Sequence, residues 1–246
     1  MRVYIIAEIC GQWGGDMKRA EQMILQCKMG GADAVKVQLW DTYKLPGENR
    51  EKWEYLQMSY SQYMELKSYA ERLGLDFFAS VFDEERFDWL LNSNTRINKI
   101  ASFTVAKQEE LMLKNLSMKA KNHFHTTYAS LGMVDYEDGF PYTDTTIKWL
   151  HCVSKYPHED SEAIDEMPNE FDDRLVGYSC HAKTIEPCIE AVKRGATVIE
   201  KHFTTDRMLQ CETESAHSCS MVYDDLVALR NACDKISYKK AGRGVK

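Results

Sequence analysis

Short apolar segments alternate with longer segments of helical periodicity along the whole chain. Most of the apolar segments are uniform rather than alternating, which is typical of strands in a parallel sheet buried on both faces. Apolar spacings of three and four residues predict the helices. We predict strands at residues 3–9, 34–39, 76–81, 99–103, 122–127, 147–153, 175–179 and 196–203. We predict helices at residues 16–29, 61–73, 83–91, 107–119, 185–194 and 222–236.

Eight strands with helices between them favour one closed barrel, the α/β (β/α)8 or TIM barrel fold, as a single domain over residues 1–246. A doubly wound parallel sheet is the alternative at this length. The connection at residues 128–146 contains Gly132, Gly139 and Pro141, so we expect a loop there rather than a helix. We find no internal repeat or linker that marks a second domain.

Net charge and cysteine usage narrow the classes of partner. The formal charge of −7 argues against a nucleic-acid or anionic-membrane partner, but it leaves room for an anionic substrate held by local positive charge. The eight cysteines form no CxxC pair, and no apolar run is long enough to span a bilayer. We therefore expect reduced thiols and a cytoplasmic protein without a signal peptide.

Polar residues gather where the predicted strands end. In a barrel these positions form the C-terminal mouth, where active sites of this fold lie. The residues in question are Glu8, Lys36, Gln38, Ser80, Lys99, Ser102, Thr126, Thr127, His151, Ser179, His181, Glu200 and His202.

Two of these residues are histidines at the ends of neighbouring strands. The predicted helix at 185–194 lies between the strands, so the strands are parallel and His181 and His202 converge at one edge. Two open imidazoles in that position can bind one divalent metal ion. The alternative is that each histidine is satisfied by local hydrogen bonds.

Two lysines also point to the mouth in this pattern. Lys36 and Lys99, with the hydroxyls of Ser102 and Ser179, form a candidate phosphate cradle. The alternative is that the lysines pair with Glu8 and Glu200 as structural ion pairs. The periodicity does not decide between these two interpretations.

Six segments, in order, resemble one family. They are residues 7–16 (AEICGQWGGD), 31–38 (GADAVKVQ), 99–102 (KIAS), 150–157 (LHCVSKYP), 177–181 (GYSCH) and 195–203 (GATVIEKHF). Together they resemble the catalytic barrel of the sialic acid (N-acetylneuraminate) synthase family over essentially the whole chain. The resemblance implies an enzyme that condenses phosphoenolpyruvate with an N-acetylated mannose-type sugar.

The same resemblance implies roles for individual residues. His181 and His202 match the metal ligands, and the implied ion is Mn²⁺, with Mg²⁺ or Co²⁺ as alternatives and Zn²⁺ ranked below them. Glu8 and Glu200 match acidic catalytic positions, with Glu8 as the candidate for the proton of the attacking water. Gln38 and Tyr156 match sugar contacts. The residues that match phosphoenolpyruvate contacts are Lys36, Lys99, Ser102, Ser154, Ser179 and, loosely, Thr126 or Thr127, where the family has Ser-Thr-Gly.

The chain departs from the family pattern at several points. Trp13 follows Gln12 where the family has Asn-His, and Cys180 replaces an aspartate beside a metal ligand, which suggests an oxidation-sensitive site or a softer metal. The loop at 210–216, ending in Ala216, replaces Pro-Gly-Pro-Asp, so that Glu212 or Glu214 stands in for a sugar-binding aspartate.

We also expect no C-terminal antifreeze-like domain within the 246 residues. Relatives use that domain to complete the sugar site of a partner subunit in a homodimer. Either a separate antifreeze-like protein supplies it here, or the chain is a compact variant with another acceptor.

Two other functions are compatible with the residues. The first is a catalytically impaired barrel that binds metal or phosphate, which the changes at Trp13, Cys180 and Ala216 would suit. The second is a metal-dependent barrel aldolase or hydrolase with another substrate, which gives no role to Lys36 and Lys99 together.

Overall fold

Eight parallel strands close into a barrel in the computed structural model, which describes residues 2–45, 47, 50–209 and 215–243. Each strand pairs with the next, and the eighth pairs with the first. This closure confirms the TIM barrel and excludes the doubly wound sheet. The strands are β1 Tyr4–Glu8, β2 Ala34–Leu39, β3 Asp76–Val81, β4 Ile97–Ile100, β5 Thr126–Ser130, β6 Ile147–Cys152, β7 Leu175–Cys180 and β8 Val198–His202.

The helices pack around this barrel and begin and end at residues suited to those places. The Asp16 carboxylate accepts from the Lys18 amide at 2.9 Å at the start of the first helix, and Gly31, with φ of 90°, ends that helix. Among the described residues, no helix has the length and apolar character needed to cross a membrane. The helices are α1 Met17–Gly30, α2 Tyr60–Arg72, α3 Glu84–Asn92, α4 Ser102–Lys107, α5 Glu109–Asn115, α6 Met118–His123, α7 Asp160–Asp165, α8 Glu186–Lys193 and α9 Tyr223–Arg243.

The fourth connection differs from its prediction. One helix was expected at residues 107–119, but the chain forms α4, α5 and α6 in succession. Gln108 leaves the helical region, with φ −125° and ψ 67°, and separates α4 from α5. Ser117 then caps α6 by accepting from the Ala120 amide at 3.3 Å. Between β5 and β6 the chain has no helix, as predicted.

The fifth strand is shifted along the chain from its predicted position. Residues 122 and 123 finish α6, and pairing with β4 begins where Thr126 lies opposite Ile97. Thr126 and Thr127 therefore start β5, and Ser130 ends it. The prediction that the two threonines end this strand is wrong, because the polar residues before them continue a helix.

Apolar side chains fill the interior of the barrel below its mouth. They form a cluster that is separate from the larger core between strands and helices, and this cluster closes the inner end of the polar mouth with apolar side chains. The buried members of this cluster are Ile6, Ala34, Phe78, Tyr128, Leu150, Val176 and Val198.

Candidate active site

A cavity of about 220 Å³ opens at the C-terminal ends of the strands. Among the polar candidates in the described part of the chain, the cavity lacks only Thr126 and Thr127, which lie at the opposite end of β5, and His151, which faces outward. The polar lining residues are Glu8, Lys36, Gln38, Ser80, Lys99, Ser102, Ser130, Ser154, Tyr156, Ser179, His181, Glu200 and His202.

Lys36 lies at one side of this cavity and is almost fully buried. Its ammonium donates to the Glu8 carboxylate and, at 3.2 Å, to the Ser80 hydroxyl. The other Glu8 oxygen accepts from the Cys10 amide at 2.7 Å. Burial lowers the pKa of Lys36 to about 7, although the negative charge of Glu200 acts against this shift.

Lys99 and Glu200 form a second pair across the barrel. The Lys99 ammonium lies 3.6 Å from Glu200 Oε1 and donates to the Ser130 hydroxyl at 2.8 Å. The Ser179 hydroxyl donates to the same carboxylate at 2.8 Å. Burial alone would raise the pKa of Glu200, but the ammonium groups of Lys36 and Lys99 lower it below its usual range.

The ion pairs considered from sequence are thus present, and they line the cavity. Glu200 Oε2 is buried without a hydrogen-bond partner among the described residues, and it lies 3.9 Å from the Lys36 ammonium. The charges of the two lysines and the two carboxylates therefore cancel, and both lysines still line the cavity. An incoming anion can exchange places with the carboxylates as the partner of each ammonium.

The hydroxyls of Ser102 and Ser154 lie on either side of Gly132, which follows β5. The Gly132 amide donates to the Ser102 hydroxyl at 3.0 Å, and the Ser154 amide donates to the Gly132 carbonyl at 3.3 Å. A Cβ at Gly132 would lie 2.7 Å from Ser154 Oγ and 3.0 Å from Ser102 Oγ. The glycine therefore lets Ser102 and Ser154 approach each other.

Ser130 is the site residue that the sequence reasoning missed. The fifth strand was matched to the family's Ser-Thr-Gly at Thr126 and Thr127. Ser130-Leu131-Gly132 has the serine and glycine at the same spacing and lies at the cavity. Gly132 marks this position in the sequence, but the strand predicted at residues 122–127 ends before it.

His181 and His202 lie together, with ring centroids 5.6 Å apart. The Nδ1–H of His181 donates to the Val153 carbonyl at 2.7 Å, and that of His202 to Gln12 Oε1 at 3.4 Å. A carbonyl oxygen only accepts, so these contacts assign the proton to Nδ1 and leave Nε2 unprotonated as a candidate metal ligand. Among the described residues no hydrogen bond to either Nε2 is found, and the donor set fits a divalent ion.

Burial keeps both of these imidazoles neutral near pH 7. It lowers the pKa of His181 to about 4 and lowers the pKa of His202 well below its usual value, with the neighbouring His181 adding to the second shift. Neutral imidazole is the form that binds metal. The Tyr156 ring lies over His181, with centroids 4.0 Å apart, at the open side of the cavity.

Two departures from the family pattern lie outside the cavity. Trp13 is buried in the core between strands and helices, and Gln12 makes the contact with His202 instead. Successive residues of a strand face opposite sides, so Cys180 points away from the mouth, and its sulfur accepts from Lys201 at 3.6 Å. The structure thus gives no support to a Cys180 thiol at the metal position.

Four other residues considered from sequence lie either away from the cavity or outside the described part of the chain. His151 faces outward, where it shares a hydrogen bond of 2.7 Å with the Tyr136 hydroxyl. Ala216 is buried, and its carbonyl accepts from the Ser220 hydroxyl at 2.7 Å. Glu212 and Glu214 fall outside the described residues.

Comparison with known proteins gives a consistent set of relatives. The sequence profile of the NeuB family matches residues 23–246. The chain is 29% identical to the N-acetylneuraminate-9-phosphate synthase of Drosophila melanogaster, over 94% of this chain and 67% of that protein. It is 30% identical to the N,N'-diacetyllegionaminic acid synthase of Legionella pneumophila, over 85% of this chain and 66% of that protein. The chain spans about two thirds of the length of these relatives.

Solved structures agree with this result. The N-acetylneuraminic acid synthetase of Leptospira borgpetersenii superposes with a TM-score of 0.81 at 26% identity, over 97% of this chain and 85% of that chain. The spore coat polysaccharide biosynthesis protein spsE of Bacillus subtilis superposes with a TM-score of 0.76, over 100% of this chain and 71% of that chain. At 24% identity, the second match supports the fold alone.

Proposed function

The chain belongs to the NeuB family, and on that basis we propose that it condenses phosphoenolpyruvate with an N-acetylmannosamine-type sugar and releases phosphate. The product is a sialic acid or a related nonulosonic acid. Relatives named as synthases of N-acetylneuraminate 9-phosphate, diacetyllegionaminic acid and pseudaminic acid support this class of reaction. The chain spans about two thirds of the length of these relatives, so the activity and substrates of the whole protein belong to the proposal.

The observation that carries the proposal is the pair of buried lysines facing the cavity beside the two histidines. Lys36 and Lys99 are each 2% exposed, and both line the open cavity although each already has a carboxylate partner. Phosphoenolpyruvate carries a phosphate and a carboxylate, so two cations suit its two ends. An aldolase or hydrolase without a phosphorylated acid substrate leaves this arrangement unexplained.

We assign the phosphoenolpyruvate contacts to the lysines and to the serine hydroxyls around them. Lys36 and Lys99 neutralise the two anionic groups and orient the enol, which is catalysis by positioning and electrostatics. Ser130 replaces Thr126 and Thr127 in this role because of its contact with Lys99. The contributing hydroxyls are those of Ser102, Ser130, Ser154 and Ser179.

A divalent ion, with manganese as the proposed species, would be held by Nε2 of His181 and of His202. When bound there it supplies Lewis-acid polarisation of the sugar's aldehyde. Gln38 and Tyr156 both line the cavity, with the Tyr156 ring beside His181, and they are the proposed sugar contacts. They would place the open-chain aldehyde next to the enol.

The proposed reaction forms one carbon–carbon bond and breaks one carbon–oxygen bond. The methylene carbon of phosphoenolpyruvate attacks the aldehyde carbon, and the aldehyde oxygen takes up a proton. Water then adds to the second carbon of the former enol, and the resulting tetrahedral intermediate loses phosphate to leave a keto acid.

One carboxylate is needed to accept the proton of that water. Glu8 was the first candidate, but its two oxygens are engaged by Lys36 and the Cys10 amide. Glu200 Oε2 lacks a hydrogen-bond partner among the described residues, and the lowered pKa of Glu200 keeps it ionised. These contacts support Glu200 as the acceptor and Glu8 as the residue that holds Lys36.

The reading of the chain as a non-catalytic barrel loses its main support. It rested on the changes at Trp13, Cys180 and Ala216. Trp13 and Cys180 pack in the core between strands and helices, and Ala216 is buried away from the cavity lining. None of these changes removes a polar group from the described cavity.

The proposal is tested by phosphate release from phosphoenolpyruvate with Mn²⁺ and a panel of N-acetylated hexoses. We expect release that requires both the sugar and the metal, and a new keto acid in equal amount. Lys99→Met serves as the inactive control. Release without any sugar would indicate a phosphatase, and no release with any sugar on the panel would favour a binding protein.

A further inference from the structure

A second group of metal-ligating side chains lies outside the cavity, where the chain passes from β6 into α7. His158, Glu162 and Glu166 each bring one ligand atom to within 4.8 Å of the others. Glu162 lies on α7 and Glu166 directly follows it, so both carboxylates face the segment that carries His158. None of these residues lines the cavity described above.

His158 is the informative member of the group. Its side chain is 1% exposed, yet neither ring nitrogen has a hydrogen-bond partner among the described residues. A buried imidazole normally finds a partner, because leaving it unpaired costs free energy. Its Nε2 points at the two carboxylates, 3.5 Å from Glu166 Oε2 and 3.8 Å from Glu162 Oε2.

These separations suit donor atoms that share an ion. They exceed the usual hydrogen-bond length, which is about 2.7–3.2 Å for nitrogen and oxygen. Ligand atoms each about 2.1 Å from one metal ion lie roughly 3–4 Å apart. We propose that His158, Glu162 and Glu166 bind a divalent transition-metal ion, of the Zn²⁺ and Co²⁺ class, at a site separate from His181 and His202.

The Lys155 ammonium now donates to Glu162 and lies where it competes with an ion. The Lys155 side chain is 53% exposed, so it can swing into solvent when an ion binds. The ion would then neutralise both carboxylates, and water would complete its coordination. Imidazole with two carboxylates is a donor set that zinc and cobalt accept.

The site has a structural consequence for the mouth. The His158 amide donates to the His181 carbonyl at 2.9 Å, and His158 pairs with Ala182 as an isolated bridge. Residues 154 and 156, which line the cavity, belong to the same short segment. An ion at this site ties α7 to the segment and thereby holds Ser154 and Tyr156 in place.

Equilibrium dialysis with Co²⁺ tests the proposal by counting bound ions per chain. We expect two ions for the full chain and one for the Glu162→Gln/Glu166→Gln double variant, whose changed side chains are largely exposed. Asp165→Asn, on the same helix, removes a charge without a ligand and should retain two ions. Circular dichroism verifies that each variant is folded.

A companion variant separates this proposal from the proposed function. His181→Ala/His202→Ala should keep one ion, held by His158. If the full chain binds one ion and the His181→Ala/His202→Ala variant binds none, the first site exists and the second does not. If the full chain binds one ion that only the glutamate changes remove, the second site is real and the proposed catalytic metal site is wrong.

Lys155→Met gives a test in the opposite direction. Removal of the competing ammonium should tighten Co²⁺ binding at the second site, whereas Glu166→Gln should weaken it by roughly 100-fold or more, since even outer contacts of metal ligands cost 10–100-fold. Unchanged or weaker Co²⁺ binding in Lys155→Met would contradict the proposed geometry. A loss of affinity in Asp165→Asn as large as that in Glu166→Gln would contradict it as well.

Discussion

At the scale of single residues, the mouth of the barrel is a neutral arrangement of two ammonium groups and two carboxylates. Glu8 and Glu200 hold Lys36 and Lys99 in place before substrate arrives. The carboxylates compensate the cost of burying the lysines, and the lysines keep Glu200 ionised. Under the proposed function, ion pairing and anion binding are two functions of one set of residues rather than competing explanations.

Removal of either lysine should affect both functions. Lys36→Ala and Lys99→Ala are each expected to weaken phosphoenolpyruvate binding by roughly 1.5–3 kcal/mol, the cost of one lost charge-assisted contact. Each variant should also melt at a lower temperature, because a buried carboxylate loses its partner. Calorimetric titration with thermal unfolding measures both. The exposed Lys119→Ala is the control, and a lower melting temperature with unchanged binding would leave only the ion-pair role.

The two histidines give a prediction for the metal. His181→Ala and His202→Ala should each abolish metal-dependent phosphate release while the circular dichroism spectrum stays nearly unchanged, because both side chains end strands at the mouth. His125→Ala, at an exposed position, should behave like the unchanged chain. Full activity of either variant at micromolar Mn²⁺ would rule out this ligand pair.

The buried histidines also predict how stability varies with pH. Burial lowers the pKa of His151 and of His181 to about 4, below the ordinary value of about 6.5. Between these values the unfolded chain binds more protons than the folded one, so the free energy of unfolding decreases as the pH falls from about 6.5 to about 4. The expected slope is at most about 1.4 kcal/mol per pH unit for each histidine.

Urea unfolding at a series of pH values measures this dependence without any ligand. His151→Gln should flatten the profile between about pH 6.5 and 4, because one of the titrating groups is gone. His125→Gln, at an exposed position, should leave the profile unchanged. A wild-type profile that is flat through this range would contradict neutral burial of His151 and His181.

At the scale of elements, strands with plain apolar cores were the easiest to predict. The bounds of β2 and β3 agree with their predictions at both ends. β5 does not, because Thr126 and Thr127 have good strand propensity but lie at its start. The sequence pattern also predicted one helix where the chain forms α4, α5 and α6. The break at Gln108 depends on tertiary contacts that a local pattern does not contain, such as its hydrogen bond of 2.8 Å to the Phe82 carbonyl.

The loop between β5 and β6 gives the prediction at this scale. Gly132→Ala should crowd Ser102 and Ser154, because the new methyl group would lie 2.7 Å from Ser154 Oγ and Cys152 Sγ. Overpacking of this kind costs about 1–3 kcal/mol. We expect weaker phosphoenolpyruvate binding in a folded protein. Asp138→Ala, an exposed change in the same loop, should bind normally, and unchanged binding in Gly132→Ala would show that the serines are not contacts.

At the scale of the whole molecule, the fold and most of the cavity follow from the sequence pattern. Strand ends in a closed barrel meet at one face, so residues as distant as Glu8 and His202 were expected together. The partners of the histidines were not predictable in this way. Gln12 and the Val153 carbonyl depend on loop paths, which have no periodicity.

The prediction at this scale concerns how well residues 1–246 by themselves bind the sugar. The 246-residue chain contains the proposed phosphoenolpyruvate and metal contacts, so it should bind both well by itself. The family resemblance assigns part of the sugar site to an antifreeze-like domain, so a protein made of residues 1–246 alone should show a high KM for the sugar. Lost binding that is shared by ground and transition states raises KM more than it lowers kcat.

Addition of an isolated antifreeze-like domain in trans tests this point. We expect a lower KM for the sugar and a rise in mass by light scattering, which would also report a homodimer. Ovalbumin at equal concentration is a control for nonspecific stabilisation. Tight sugar binding by the 246-residue chain alone would mean that it has its own complete acceptor pocket.

The pairing of β1 with β8 has a consequence for how the protein is made. Glu8 lies opposite His202 in this pairing, and the contact between Gln12 and His202 joins residues 190 positions apart. Glu8 and Lys36 are synthesised well before β8, which completes their surroundings, so the mouth forms only after β8 has left the ribosome. A nascent or proteolysed chain that lacks β1 or β8 cannot assemble the cavity. The residues that line the cavity therefore come together only when β8 pairs with β1 and closes the barrel.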